Sequence, residues 1–93
     1  MKKVLKAMIR LSTIQDIQSF VSIVSMTDME VDLSSHRYVV DGKSIMGIYS
    51  LDLLNPIMLL VYPTANNEGA GEELMEKLQR FVVEKLPTEE IPS

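Results

Sequence analysis

Few side chains in this chain of 93 residues have the types and spacing that catalysis requires. Cysteine is absent and His36 is the single histidine, which excludes thiol catalysis, disulfides, thiolate metal sites and histidine clusters. Gly42-Lys43-Ser44 is similar to the end of a phosphate-binding loop, but Arg37 stands where the upstream glycine is required. We therefore predict that the protein is not an enzyme and that it uses no metal and no cofactor.

Ser44 is a hydroxyl residue at the start of a predicted helix. It precedes Ile45, Ile48 and Leu51, which recur at spacings of three, so it is predicted to cap a short helix. A phosphate there would lie beside free backbone N–H groups, and phosphorylation is predicted to change the surface charge without unfolding the domain. The alternative is that Ser44 is a plain helix cap.

The overall composition is that of one small globular domain. The apolar fraction is 46%, the charged fraction 24% and the net charge −4, which argues against a large basic surface for nucleic acid. Lys6 and Arg10 interrupt the apolar stretch that a signal peptide needs, and polar residues break the most apolar region, 45–62. We predict no membrane segment, a cytoplasmic location, and a monomer or weak dimer.

Hydrophobic periodicity predicts alternating strands and helices along the chain. Gln15 follows Ser12 by three residues, and Asp16 follows Thr13 by three, which is capping-box spacing and predicts the start of the first helix. The predicted elements are strand 4–11, a helix beginning at 12–13, strands 29–33 and 36–40, helix 43–51, strand 56–63, loop 66–71 and helix 72–86. The order β-α-β-β-α-β-α predicts an α+β, open-faced sandwich of two layers.

This order, together with the segment Lys43-Ser44-Ile45-Met46-Gly47, resembles the HPr family, the histidine-containing phosphocarriers of the bacterial sugar phosphotransferase system. The resemblance covers about residues 4–86. It implies a four-stranded antiparallel sheet of order 1-4-2-3 with three helices on one face. It also implies that Ser44 is the regulatory serine that HPr kinase/phosphorylase phosphorylates in Gram-positive members.

The family's phosphoacceptor motif, Gly-x-His-x-Arg-Pro, has no counterpart in this sequence. When Ser44 and Phe20 are placed on their family equivalents without a gap, Thr13 falls on the histidine, Gln15 on the arginine and Asp16 on the proline. Because a phosphothreonine ester is too stable to pass its phosphoryl group on, we predict that the protein is not a phosphoryl relay. The chain thus resembles the catabolite-repression paralogue, which also lacks the histidine and keeps the serine, although that paralogue retains the Arg-Pro.

We predict a single HPr-like domain at residues 1–86 followed by a flexible tail at 87–93. The resemblance implies a regulatory docking protein of carbon catabolite control, with HPr kinase/phosphorylase and a transcriptional regulator as partners. Two alternatives are an interaction or structural module without phosphate chemistry, and an active phosphocarrier with an unusual acceptor. The predicted partner-binding residues are Lys43, Ile45, Met46, Tyr49, Leu51, Gln15 and Gln18.

Overall fold

The computed structural model describes residues 2–36, 38–64 and 69–91. Its first seven elements follow the predicted order β-α-β-β-α-β-α, and two further strands come after them. The strands are β1 (Lys2–Ile9), β2 (Glu30–Ser35), β3 (Tyr38–Asp41), β4 (Ile57–Tyr62), β5 (Val82–Lys85) and β6 (Glu89–Ile91). The helices are α1 (Ile14–Val24), α2 (Ile45–Tyr49) and α3 (Ala70–Lys77), and a 3₁₀ turn covers Gln79–Phe81.

The sheet is antiparallel and larger than predicted. It contains six strands in the order β3-β2-β4-β1-β5, and β6 also pairs with β1. The predicted four-stranded sheet of order 1-4-2-3 is therefore wrong for the complete sheet. The difference arises at one edge, because the C-terminal segment adds β5 and β6 beyond β1.

The C-terminal helix ends much earlier than the predicted residue 86. The α-helix stops at Lys77, and after the 3₁₀ turn the chain runs alongside β1, where Lys85 lies opposite Ala7. The β-branched pair Val82-Val83 favours a strand over a helix. Because the edge of β1 offers backbone groups to pair with, the strand conformation satisfies hydrogen bonds that a longer helix would leave open.

The predicted flexible tail contains an ordered pairing. Residues Glu89–Ile91 form β6, in which Glu89 lies opposite Val4 and Ile91 opposite Lys2. The Lys6 ammonium lies 2.8 Å from a Glu89 carboxylate oxygen, which adds an ion pair to this pairing. The last two residues of the tail, and residues 66–68 of the predicted loop, lie outside the described residues.

One hydrophobic core fills the space between the sheet and the helices. Alternate strand residues, among them Ala7, Ile9, Leu33 and Leu59, pack in a single cluster with buried residues of all three helices. Since one set of alternating strand residues meets all three helices, the helices lie on one face and the other face of the sheet stays open. Within the described ranges, no helix is long and apolar enough to cross a bilayer.

Candidate functional site

Ser44 begins α2 as predicted. Its backbone is extended, with φ −101° and ψ 105°, and its Oγ accepts a hydrogen bond from the backbone N–H of Gly47 at 3.1 Å. The Ser44 carbonyl accepts from Ile48 N at 3.0 Å, which closes the first turn. The side chain is half-buried, and its hydroxyl proton is not needed for the cap because the oxygen acts as the acceptor.

Gly47 allows this tight arrangement next to β3. A Cβ atom at this position would lie 3.2 Å from Ser44 Oγ and 3.3 Å from Val40 Cβ, closer than side chains normally pack. A side chain at position 47 would therefore press on both the cap and β3.

The exposed surface of α2 is smaller than predicted. Met46 is 74% exposed and Tyr49 43% exposed, so these two apolar side chains do face outward. Leu51 is only 7% exposed and belongs to the core, so its predicted surface position is wrong. Ile45 is half-buried and packs against the core. Ile48, fully buried, anchors the helix.

Lys43 is held by contacts within the domain. Its Nζ donates to the carbonyl oxygen of Thr27 at 2.6 Å, and its backbone N–H donates to an Asp41 carboxylate oxygen at 2.9 Å. The ammonium group therefore joins the α2 approach to the segment that follows α1. A partner that used this charge would compete with the Thr27 carbonyl for it.

Thr13 and Asp16 start α1 with the predicted capping box. Thr13 Oγ1 accepts from Asp16 N at 3.0 Å, while an Asp16 carboxylate oxygen accepts from Ser12 N at 3.0 Å and from Thr13 N at 3.3 Å. Both side chains are thus engaged in the helix start. A carboxylate already occupies the place where a phosphate on Thr13 would sit close to the backbone N–H groups.

The other predicted contact residues on α1 are exposed. Gln15 and Gln18 both face solvent, and Gln18 lines a shallow groove with Lys77 and Arg80 of the C-terminal region. Helical spacing predicts that Ile14 lies on the same buried stripe as Ile17 and Val24, but Ile14 is 62% exposed, so this placement is wrong. Ile14 is the first residue of α1, where the helix has not yet reached the core.

His36 lies in the turn between β2 and β3 with a positive φ of 56°. Its Nε2 is 4.0 Å from an Asp52 carboxylate oxygen in the loop that follows α2, and its side chain is 74% exposed. The imidazole is therefore placed beside the α2–β4 connection, while Thr13 and Asp16 close the first turn of α1.

The groups whose pKa values are shifted lie on the open sheet face rather than beside Ser44. Burial, with the nearby Glu30 and Asp41 carboxylates, raises the pKa of Asp32, and the Tyr62 hydroxyl partly offsets this increase. Burial and the Asp32 charge raise the pKa of Tyr62 in turn. The sequence signal for this acidic cluster is the alternation of acidic and apolar residues in β2, which puts Glu30 and Asp32 on the same face of the strand.

The solved structures that are similar to this one include two HPr proteins, whereas the sequence matches no protein-family model and no curated protein. A crystal structure of HPr-C-His from Thermoanaerobacter tengcongensis aligns with a TM-score of 0.65 and 24% identity, covering 92% of this chain and 100% of that one. The phosphocarrier protein HPr from Bacillus anthracis aligns with a TM-score of 0.57 and 20% identity, covering 80% and 95%. The chain therefore has an HPr-like fold.

Proposed function

We propose that this protein is a regulatory member of the HPr type, which docks partner proteins through α2 and is controlled by phosphorylation of Ser44. The observation that carries the proposal is the pair of exposed apolar side chains, Met46 at 74% and Tyr49 at 43%, within five residues of the half-buried Ser44. Exposed apolar side chains of this size are typical anchors of protein interfaces. A phosphate on the adjacent hydroxyl would alter the charge of the same surface.

The expected partners follow from the HPr-like fold and the Lys43–Gly47 segment. They are an HPr kinase/phosphorylase, which would modify Ser44, and a transcriptional regulator of carbon catabolite control, in the cytoplasm. The proposed surface includes Gln15 and Gln18, which are exposed on the neighbouring helix α1. Lys43 contributes only if it leaves the Thr27 carbonyl.

A role as a phosphoryl relay is not part of this proposal. In the gapless alignment Thr13 takes the place of the phosphoacceptor histidine, and here its oxygen accepts the Asp16 N–H. A threonine ester does not return its phosphoryl group easily, and the Asp16 carboxylate would repel the phosphate. This makes the protein similar in role to the catabolite-repression paralogue of HPr.

The test of Ser44 is incubation of the full chain with HPr kinase/phosphorylase and ATP. The Ser44 oxygen would attack the γ-phosphorus, ADP would leave, and the hydroxyl proton would pass to the kinase. Intact-mass measurement should show the addition of one phosphate that Ser44→Ala abolishes and Thr13→Ala does not. A chain left unmodified under conditions that label a true HPr would contradict the proposal.

A parallel incubation with enzyme I and phosphoenolpyruvate tests the relay. We expect no acid-labile phosphate on the intact protein. If such a label appeared, the next variant would be His36→Ala, and loss of the label would restore the role of active phosphocarrier with an unusual acceptor.

The docking surface is tested with Met46→Ala and Tyr49→Ala. If these side chains are interface anchors, each should weaken binding to the regulator about tenfold or more while changing the unfolding free energy by less than about 0.5 kcal/mol. Substitution of the exposed Leu54, which is 85% exposed in the following loop, serves as a matched control. Unchanged binding in both α2 variants would exclude this surface.

A second candidate function is an interaction module without phosphate chemistry. It is favoured by the hydrogen bond from Gly47 N to Ser44 Oγ, which alone accounts for a serine at this position. The kinase experiment separates the two candidates, because only the regulatory protein is modified. Partner binding that depends on Met46 and Tyr49 would be common to both.

A further inference from the structure

The open face of the sheet, on the side opposite the helices, carries an apolar stripe along its two central strands. The register places Met8 opposite Met58 and Lys6 opposite Leu60. Tyr62 lies two residues after Leu60 in β4 and therefore on the same face. Because directly paired residues share a face, these side chains lie together on the side away from the core. Met8, Met58, Leu60 and Tyr62 are all half-buried, so each still presents surface to solvent.

Carboxylates border this stripe on both sides. On one side β2 places Glu30 opposite Tyr62 and Asp32 opposite Leu60, and Asp41 of β3 lies beyond Asp32. On the other side Glu84 of β5 lies opposite Met8, and Glu89 of β6 lies opposite Val4. These carboxylates form two acidic borders along the apolar stripe; in the second, Glu89 is paired with Lys6, and Glu84 has no salt bridge among the described residues.

Two lysines near this face are engaged within the domain. Lys6 forms its ion pair with Glu89 at 2.8 Å, and the Lys43 ammonium donates to the Thr27 carbonyl. Among residues 2–36, 38–64 and 69–91, Glu30, Asp32, Asp41 and Glu84 form no salt bridge. Burial raises the pKa of Asp32, and the negative charges of Glu30 and Asp41 raise it further, which agrees with a negative potential here.

We propose that this open sheet face binds a cationic amphipathic helix of a partner protein. The apolar side chains of that helix would pack on Met8, Met58 and Leu60, and its basic side chains would lie over the two acidic borders. The spacing fits: β2 and β5 are separated by three strand intervals, about 14 Å, whereas a helix with its side chains is about 10–12 Å wide. A helix lying over β4 and β1 thus reaches both borders. Methionine side chains adapt their shape to such a ligand.

Charge complementarity selects this occupant over a second copy of the chain. Two copies stacked on this face would bring acidic borders near each other, with Lys6 already paired. A helix with lysine or arginine on both flanks meets opposite charge on each side. The surface is distinct from α2, so the proposal does not depend on the function proposed for Ser44.

The experiment is a titration of the ¹⁵N-labelled full chain with a synthetic 14-residue helix-forming peptide that has leucine on one face and lysine on both flanks. Amide shifts should be confined to β1, β2, β4 and β5, and the same peptide with glutamate in place of lysine should bind at least about tenfold more weakly. Shifts that map to α1 and α2, or equal affinity for the two peptides, would overturn the proposal.

Matched variants separate this face from α2. Met58→Glu should weaken peptide binding about tenfold or more, whereas Met46→Glu should change it less than about twofold. The double variant Asp32→Asn and Glu84→Gln leaves the apolar stripe intact and should lose much of the salt dependence. This second variant keeps the test valid if Met58→Glu unfolds the domain.

Sedimentation of the free chain should show a monomer. A dimer that Met58→Glu dissociates would mean that the occupant of this face is a second copy of the chain and not a helix of a partner protein.

Discussion

The two helices α1 and α2, which form the docking surface proposed around Ser44, are held in place very differently. α1 has eleven residues and buries Ile17, Phe20 and Val24 in the core. α2 has five residues and buries Ile48. The start of α1 is fixed by a reciprocal pair of side-chain hydrogen bonds, whereas the start of α2 depends on the hydroxyl of Ser44.

This difference indicates where a negative charge can be added. The first turn of α1 contains Asp16, whose carboxylate already accepts backbone N–H groups, while the first turn of α2 contains no acidic residue. A phosphate at the start of α1 would therefore face a like charge at close range. A phosphate at the start of α2 meets no carboxylate in the same turn, which favours Ser44 over Thr13 as the site of modification.

The largest expected effect is the loss of the α2 anchor. Ile48→Ala should lower the free energy of unfolding by about 3 kcal/mol, since it removes a fully buried side chain and leaves a cavity. Met46→Ala, on the exposed side of the same helix, should change it by less than about 0.5 kcal/mol. Urea unfolding measures both. Similar losses in the two variants would mean that α2 is not anchored as described.

The local features of this comparison could be predicted from the sequence. Both caps depend on contacts three residues apart, Thr13 with Asp16 and Ser44 with Gly47, and such contacts are specified by the chain itself. The burial of Leu51 depends instead on how α2 packs against the sheet. The spacing of three groups Leu51 with the buried Ile48, and it was the family resemblance that included Leu51 in the predicted docking surface.

The C-terminal region shows the same limit for the fold. Leu74, Leu78 and Phe81 are buried as a helical stripe predicts. The same three residues are also buried in the observed structure, in which the α-helix ends at Lys77 and a 3₁₀ turn covers Gln79–Phe81, so the periodicity does not distinguish the two conformations. Pairing with β1 decides the conformation from Val82 onward, and this partner lies more than seventy residues away along the chain.

The second-largest expected loss of stability comes from removing the cap at the start of α1. Asp16→Ala removes the acceptor for Ser12 N and Thr13 N and should lower the free energy of unfolding by about 1–1.5 kcal/mol. Ser44→Ala removes the acceptor for one N–H, that of Gly47, and should lower it by about 0.5–1 kcal/mol. Urea unfolding with hydrogen exchange at the three amides tests this. A larger loss for Ser44→Ala would show that α2 is the more dependent on its cap.

The smallest effect separates charge from capping. Aspartate is a good helix cap, so Thr13→Asp and Ser44→Asp both keep a side-chain acceptor for their N–H partners, Asp16 N and Gly47 N. Thr13→Asp also sets a new carboxylate beside Asp16, and the repulsion should lower the free energy of unfolding by about 0.5 kcal/mol at low salt. The loss should shrink in about 1 M NaCl, where the charges are screened.

Ser44→Asp, the matched variant at the start of α2, should change the free energy of unfolding by less than about 0.3 kcal/mol at either salt concentration. Equal and salt-independent changes would mean that Asp16 does not set the difference between the two helix starts, and burial alone would then distinguish α1 from α2.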